Sequence, residues 1–267
     1  MTAQSTAVTP RTAPATSRRP LLGFGTILRK ELQEWVRGPK ALIILGVSVA
    51  AAIFMTIIPF IAEATKEADA AGLLSHDPTA NVLLGWTGQT VALIAVLATM
   101  ALLSSERDRG TLGWTLSNPV SPTSVIAAKF AVAASVFIVT AVVVPMLVSI
   151  GLATVVYGGL PDLRTVGTFT VLFLALPAFY IALTVALGTA VKSTVGVAGI
   201  AFAVMFLPAT IGGLIPTVAE LSPTNIGSWA MLVAKGQPAS MLTPIGWLIS
   251  MAVLIVGAKL VFDRQEL

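Results

Sequence analysis

The sequence contains no cysteine and a single histidine, His76. Without cysteine there is no disulfide framework and no thiolate to hold an iron–sulfur cluster. With one histidine and no cysteine, a structural zinc site has no ligand set. Charge is scarce as well. Only 10% of the residues are Asp, Glu, Lys or Arg, against about 25% in an ordinary soluble domain. So few charges do not cover a water-facing surface, which excludes a soluble globular protein. Intrinsic disorder requires low hydrophobicity, whereas this chain is 56% apolar. Its mean hydropathy of +0.92 points to a surface that faces lipid.

What the 267 residues do contain is six long stretches nearly free of charge. A helix needs about 20 apolar residues to cross the hydrocarbon core. The expected spans are 41–62, 82–104, 130–155, 167–191, 194–215 and 243–262. Lys192 is the one charge between Thr165 and Ala219. It predicts a tight helical hairpin with its turn near Val191–Thr194, because a single helix of that length would overshoot the bilayer. The expected fold class is therefore all-α: a polytopic membrane protein of six transmembrane helices.

Orientation follows from Lys and Arg, which accumulate on the inner side. With both termini inside, Arg11, Arg18, Arg19, Arg29, Lys30, Arg37, Lys40, Arg107, Arg109, Lys129, Lys192, Lys259 and Arg264 fall inside. Lys66, Arg164 and Lys235 fall outside, 13 against 3 of the 16 basic residues. The net charge of +4 then reads as a topology signal and a contact with anionic lipid heads. No patch interleaves dense basic charge with aromatics, so nucleic acid is not an expected partner.

Residues 1–20 are rich in Thr, Ala, Ser and Pro and read as a disordered cytoplasmic tail, with 21–267 as one membrane domain. Leu21, Phe24, Leu28, Leu32 and Trp35 recur at helical spacing, while Lys30, Gln33, Glu34 and Arg37 line another face. That pattern predicts an interfacial amphipathic helix on the inner leaflet. Lys30 and Glu34 are placed to pair across one turn. Gly38-Pro39 ends the helix before the first span.

The expected spans hold no Asp, Glu, Lys, Arg or His in their interiors. Proton-coupled carriers and pumps place such groups at mid-membrane, so a self-sufficient proton-coupled carrier is disfavoured. There is no Gly-x-Ser-x-Gly elbow and no His-Glu-x-x-His motif for proteolysis, and no catalytic residue is assigned. A phosphate loop requires Gly-x-x-x-x-Gly-Lys-Ser/Thr. The nearest string, Lys192-Ser193-Thr194, follows Val191 where glycine is required. Uphill movement would thus need energy from another chain. Gln89 and Thr90 are polar residues of the second span that face either a path or a helix interface. Pro59, Pro145, Pro177 and Pro208 lie within or near span ends, where they can kink helices.

The loop between the second and third spans is the most informative segment. It runs from Glu106-Arg107-Asp108-Arg109 through Gly110-Thr111-Leu112-Gly113-Trp114-Thr115-Leu116 to Ser117-Asn118-Pro119-Val120-Ser121. Leu112 and Leu116 stand one turn apart beside Trp114, and Asn118-Pro119 stops the stretch. A short helix with exposed Leu and Trp, held by charges at the surface, reads as a docking element. A second such segment, Pro216–Pro244, places Ile226, Trp229, Met231, Leu232 and Val233 after Asn225. It predicts a short apolar helix dipping into the outer leaflet, bracketed by Glu220 and Lys235.

These features together resemble the membrane subunits of type-2 ATP-binding-cassette (ABC) exporters. The likeness is carried by Glu106 leaving the second span, then Gly110-Thr111-Leu112 and Ser117-Asn118-Pro119-Val120-Ser121. Lys129 stands where that family has a lysine at the start of the third span. Arg29-Lys30-Glu31-Leu32, with Glu34, Trp35 and Arg37, is similar to the family's connecting helix. Leu221-Ser222-Pro223-Thr224-Asn225 and Phe262-Asp263-Arg264 extend the match, which runs from about Leu21 to Leu267. Gly113-Trp114 departs from the pattern.

The resemblance implies a permease subunit in the plasma membrane of a bacterium. It pairs with a second permease chain, as a homodimer or heterodimer, and docks two copies of a cytoplasmic ATPase. ATP-Mg is bound on those partners and no cofactor by this chain. Coupling then falls to Glu106, Arg107, Gly110, Thr111, Leu112, Trp114 and Leu116. A hydrophobic or amphipathic substrate suits spans without fixed charge. The competing readings are an ABC permease serving assembly of an extracytoplasmic metalloenzyme, an ATP-independent secondary carrier, and a membrane anchor without transport.

Overall fold

A computed structural model describes residues 23–64, 77–86, 89–108 and 122–263. Within them every regular element is helical. Six helical rods are long and apolar enough to cross a membrane: Pro39–Ile58, Pro78–Glu106, Thr123–Val156, Leu163–Ala190, Thr194–Gly212 and Leu242–Val261. The expected tail, residues 1–20, lies outside the described residues.

The third rod begins well before the expected residue 130. The helix starts at Pro122, at the proline that suits a first helical turn, and runs through Lys129 into the span. A charge-free run stops at a lysine, but a helix does not when that lysine finds partners. At about 1.5 Å per residue, the 34-residue rod spans on the order of 50 Å, against about 30 Å of hydrocarbon. The excess projects at the end where Lys129 lies, here called the basic end.

Three rods contain irregularities that hydropathy does not reveal; the fourth is two helices, Leu163–Phe173 and Ala175–Ala190, that meet at Leu174. The second is built of separate helices, Pro78–Trp86 and Thr90–Thr99, followed by a turn and the short helix Ser104–Asp108. The third carries a π-helical stretch at Ile138–Val143, directly before Pro145. Proline has no N–H to return to the carbonyl four residues back, and a widened turn ahead of it absorbs the mismatch. The turn between the fourth and fifth rods falls at residues 191–193. Ser193 caps the fifth helix by accepting from the Gly196 amide at 3.3 Å.

The fourth rod forms the core. Its most apolar window is 61% buried, against 11% for the sixth rod. Phe169, Phe173, Leu176, Phe179 and Tyr180 are fully enclosed. Trp86 meets Phe173 edge-on at 5.9 Å. Hydroxyls and indoles then pin the rods together. Thr99 and Thr184 share a hydrogen bond of 2.7 Å, and Trp86 Nε1 donates to Ser149 Oγ at 3.2 Å. Trp247 Nε1 donates to the Ala175 carbonyl at 2.9 Å. Each such bond contributes about 0.6 kcal/mol in a membrane bundle, so close packing carries most of the stability. Outward-facing Leu42, Val155, Val195 and Leu214 are largely exposed, as lipid-facing positions should be.

Beyond the fifth rod come the helix Pro216–Leu221, a 3₁₀ turn at Pro223–Asn225 and the apolar helix Ile226–Ala234. This segment is held against the sixth rod by a close approach. A Cβ on Gly246 would collide with the Leu221 carbonyl oxygen. Gly246→Val is therefore expected to push the segment off the rod, destabilising the fold by about 1–3 kcal/mol. Limited proteolysis within 216–234 should accelerate in that variant, while membrane insertion stays normal. On the same side of the bundle, Asp162 caps the fourth rod. The Thr165 hydroxyl and the Arg164 amide hold its carboxyl below its ordinary range. This cap is present at neutral pH and is lost as acid titrates the carboxylate.

Candidate functional site at the basic end

The amphipathic helix forms at Phe24–Arg37 and stops at Gly38, whose extended backbone leads directly into Pro39. Its buried stripe is Ile27, Glu31 and Trp35, four residues apart. Of the expected face, Trp35 is buried and Phe24 and Leu28 pack against the core, but Leu32 is 43% exposed and Glu31 takes an inward position instead. The reason is tertiary. The helix packs along the projecting start of the third rod, where Ile27 meets Val125 and Ala128. Leu32 and Val36 are left exposed beside it. Arg29, Lys30, Glu34 and Arg37 all face outward. Lys30 and Glu34 approach to 3.7 Å, and an exposed pair of this kind contributes at most about 0.5 kcal/mol.

Glu31 is turned inward because a cation meets it. Lys129 Nζ donates to Glu31 Oε1 at 2.7 Å and to Glu106 Oε1 at 2.8 Å. Only 3% of the Lys129 side chain and 5% of the Glu31 side chain are exposed, so water screens this cluster poorly. One ammonium thus joins three elements: the amphipathic helix, the end of the second rod and the start of the third. The cluster carries two carboxylates and one ammonium.

The end of the second rod is fastened from its other side as well. Ser104 Oγ and Thr194 Oγ1 lie 3.0 Å apart, which ties it to the fifth rod. A Cβ on Gly188 would stand 2.9 Å from Leu103 Cβ, so the fourth rod approaches closely there. Glu106 and Lys129 stand before and after the segment 109–121 in the chain, and their ion pair joins the second rod to the third.

The other expected coupling residues are placed as follows. Arg107 lies in the helix Ser104–Asp108. Gly110, Thr111, Leu112, Trp114 and Leu116 lie outside the described residues. Gln89 and Thr90 sit elsewhere, at the break in the second rod, and take no part in the cluster. Lys129 is the member that charge-free runs alone did not single out; its place at the start of the third span, noted through the resemblance, was the available signal. Among the described residues, no three His, Asp or Glu side chains come together as a metal site.

No curated protein matches the chain. The family profile described as ABC-2 family transporter protein does match, over residues 26–267, from the amphipathic helix to the C-terminal residue. With its six membrane-spanning rods, the chain belongs to the ABC-2 family of transporter membrane proteins and is a permease component of an ABC transporter.

Proposed function

We propose that the chain is the permease subunit of an ATP-driven exporter, coupled to a separate cytoplasmic ATPase through the segment 109–121. The observation that supports this most is the Glu31–Lys129–Glu106 cluster. A docking segment that only rested in the headgroups would need no buried ionic clamp at its base. Here the clamp joins the rods that precede and follow that segment to the amphipathic helix, and that helix passes through Gly38 into the first rod. A push on Leu112, Trp114 or Leu116 would therefore reach three rods together.

In this reading the basic end is cytoplasmic, as are both termini. Exposed Arg29, Lys30, Arg37 and Lys40 meet anionic lipid heads there. Two permease chains form the path, and each engages one ATPase subunit carrying ATP-Mg. This chain is a non-catalytic subunit of the plasma membrane, bacterial in origin. The exported molecule is hydrophobic or amphipathic.

Glu106→Gln keeps a hydrogen-bond acceptor for Lys129 but removes one charge of the clamp. ATP-driven transport in vesicles should slow roughly tenfold, equivalent to about 1.4 kcal/mol, with expression and insertion unchanged. Unaltered flux would reduce Glu106 to a structural charge and remove the clamp from the coupling route.

A further inference from the structure

Between the first, second and third rods lies a pocket away from the basic-end cluster. It is a partly open recess of about 300 Å³ unfilled by protein, with room for one water-sized group. That is enough for a single hydroxyl or water. The walls are apolar and include Ala52, Met55, Trp86 and Ile94, and the polar side chains among the lining residues are Ser48 and Thr90. Two backbone irregularities meet there. Thr90 begins the helix after the break in the second rod, and Ala141 belongs to the π-helical stretch of the third.

Ser48 is the unusual member. Serine and threonine inside membrane helices commonly return their hydroxyl to the carbonyl four residues back. Thr99, Ser104, Ser135, Thr140 and Thr154 all do so in this protein. Ser48 does not. It is 4% exposed, its Oγ is buried, and it makes no hydrogen bond among the described residues. Beside Thr90, the Gln89 Oε1 is likewise buried without a partner. An unmet hydroxyl in apolar surroundings is costly, and here it lines a space of matching size.

Among the described residues the lining contains no charged group, so an ion or a charged headgroup finds no counter-charge there. The chemistry that fits is one hydroxyl on an otherwise apolar, uncharged body. We infer that this pocket is a subsite for the hydroxyl end of an uncharged amphipathic alcohol, received by Ser48 Oγ inside a single permease chain. The inference deepens the permease reading by naming a ligand class.

The test uses the full chain in phosphatidylcholine nanodiscs, without any ATPase. The probes are a dodecanol carrying a chain diazirine and the diazirine alkane of equal length. After irradiation, the alcohol should label the peptides around 48–55 and 85–94 about fivefold more than the alkane, the ratio that one hydrogen bond of about 1 kcal/mol provides. Ser48→Ala should bring labelling down to the alkane level, Ser48→Thr should retain it, and Ala52→Leu, which fills the space, should abolish it. Equal labelling by the two probes would overturn the inference. So would a Ser48→Ala variant that labels as before, or a high-resolution map with the alcohol present that shows only water at Ser48. Because no ATPase takes part, any of these failures leaves the permease reading untouched. That reading fails separately, in ATP-driven vesicle transport.

Discussion

Lys129→Met is expected to destabilise the protein by about 3–5 kcal/mol, the usual cost of stranding a buried charge. The substitution preserves most of the side-chain volume, so lost packing contributes little. What remains is Glu31, almost fully buried, and Glu106, each without its ammonium. Two carboxylates held close without a cation repel each other, and one must take up a proton or leave the site. The amphipathic helix should then detach from the third rod, although Ile27 still has Val125 and Ala128 to pack against. Thermal unfolding in detergent measures the loss, and protease access to residues 24–37 reports the detachment.

A second variant separates charge from shape. Lys129→Met combined with Glu31→Gln and Glu106→Gln removes the charges of the cluster together, and most of the lost stability should return. Transport should not return with it, because the coupling reading asks for a rigid ionic clamp and not merely a filled space. A triple variant that transports normally would show that the cluster serves folding alone.

The larger functional effect is expected at the docking segment. Leu112→Glu with Leu116→Glu places two carboxylates where the sequence offers an apolar face one turn long. An apolar docking contact that must bury two unpaired charges loses its free energy several times over. ATP-driven transport should fall to background, and the ATPase should no longer respond to the permease. Neither residue lies in a span, so expression and insertion should match the parent chain. Transport at the parent rate in this variant would move the coupling contact away from 109–121.

The number of rods was legible in the sequence because crossing a bilayer depends on composition and length, which hydropathy reads directly. The ion pairs of the third rod were not. The partners of Lys129 lie 98 and 23 residues away, and no local pattern announces such a pairing. The face of the amphipathic helix shows a related limit. The spacing put Leu32 on the apolar stripe with Leu28 and Trp35, whereas the buried stripe runs through Ile27, Glu31 and Trp35. Val125 and Ala128 on a different helix decide between them. At the candidate site, Glu31, Glu106 and Lys129 were each visible as residues of the resembling family, but their convergence on one ammonium was not. The break at Gln89 and the π-helical turn before Pro145 are matters of backbone register, which side-chain hydropathy does not encode.

The central claim is that this chain moves its substrate with energy supplied by a separate ATPase. The most direct measurement is purification of the tagged chain in mild detergent at native expression, followed by transport assays on inside-out vesicles from the same cells. The account predicts that a phosphate-loop ATPase co-purifies one-to-one with the chain, and that transport requires ATP. A chain that purifies alone, in vesicles that transport equally well without ATP, would contradict it.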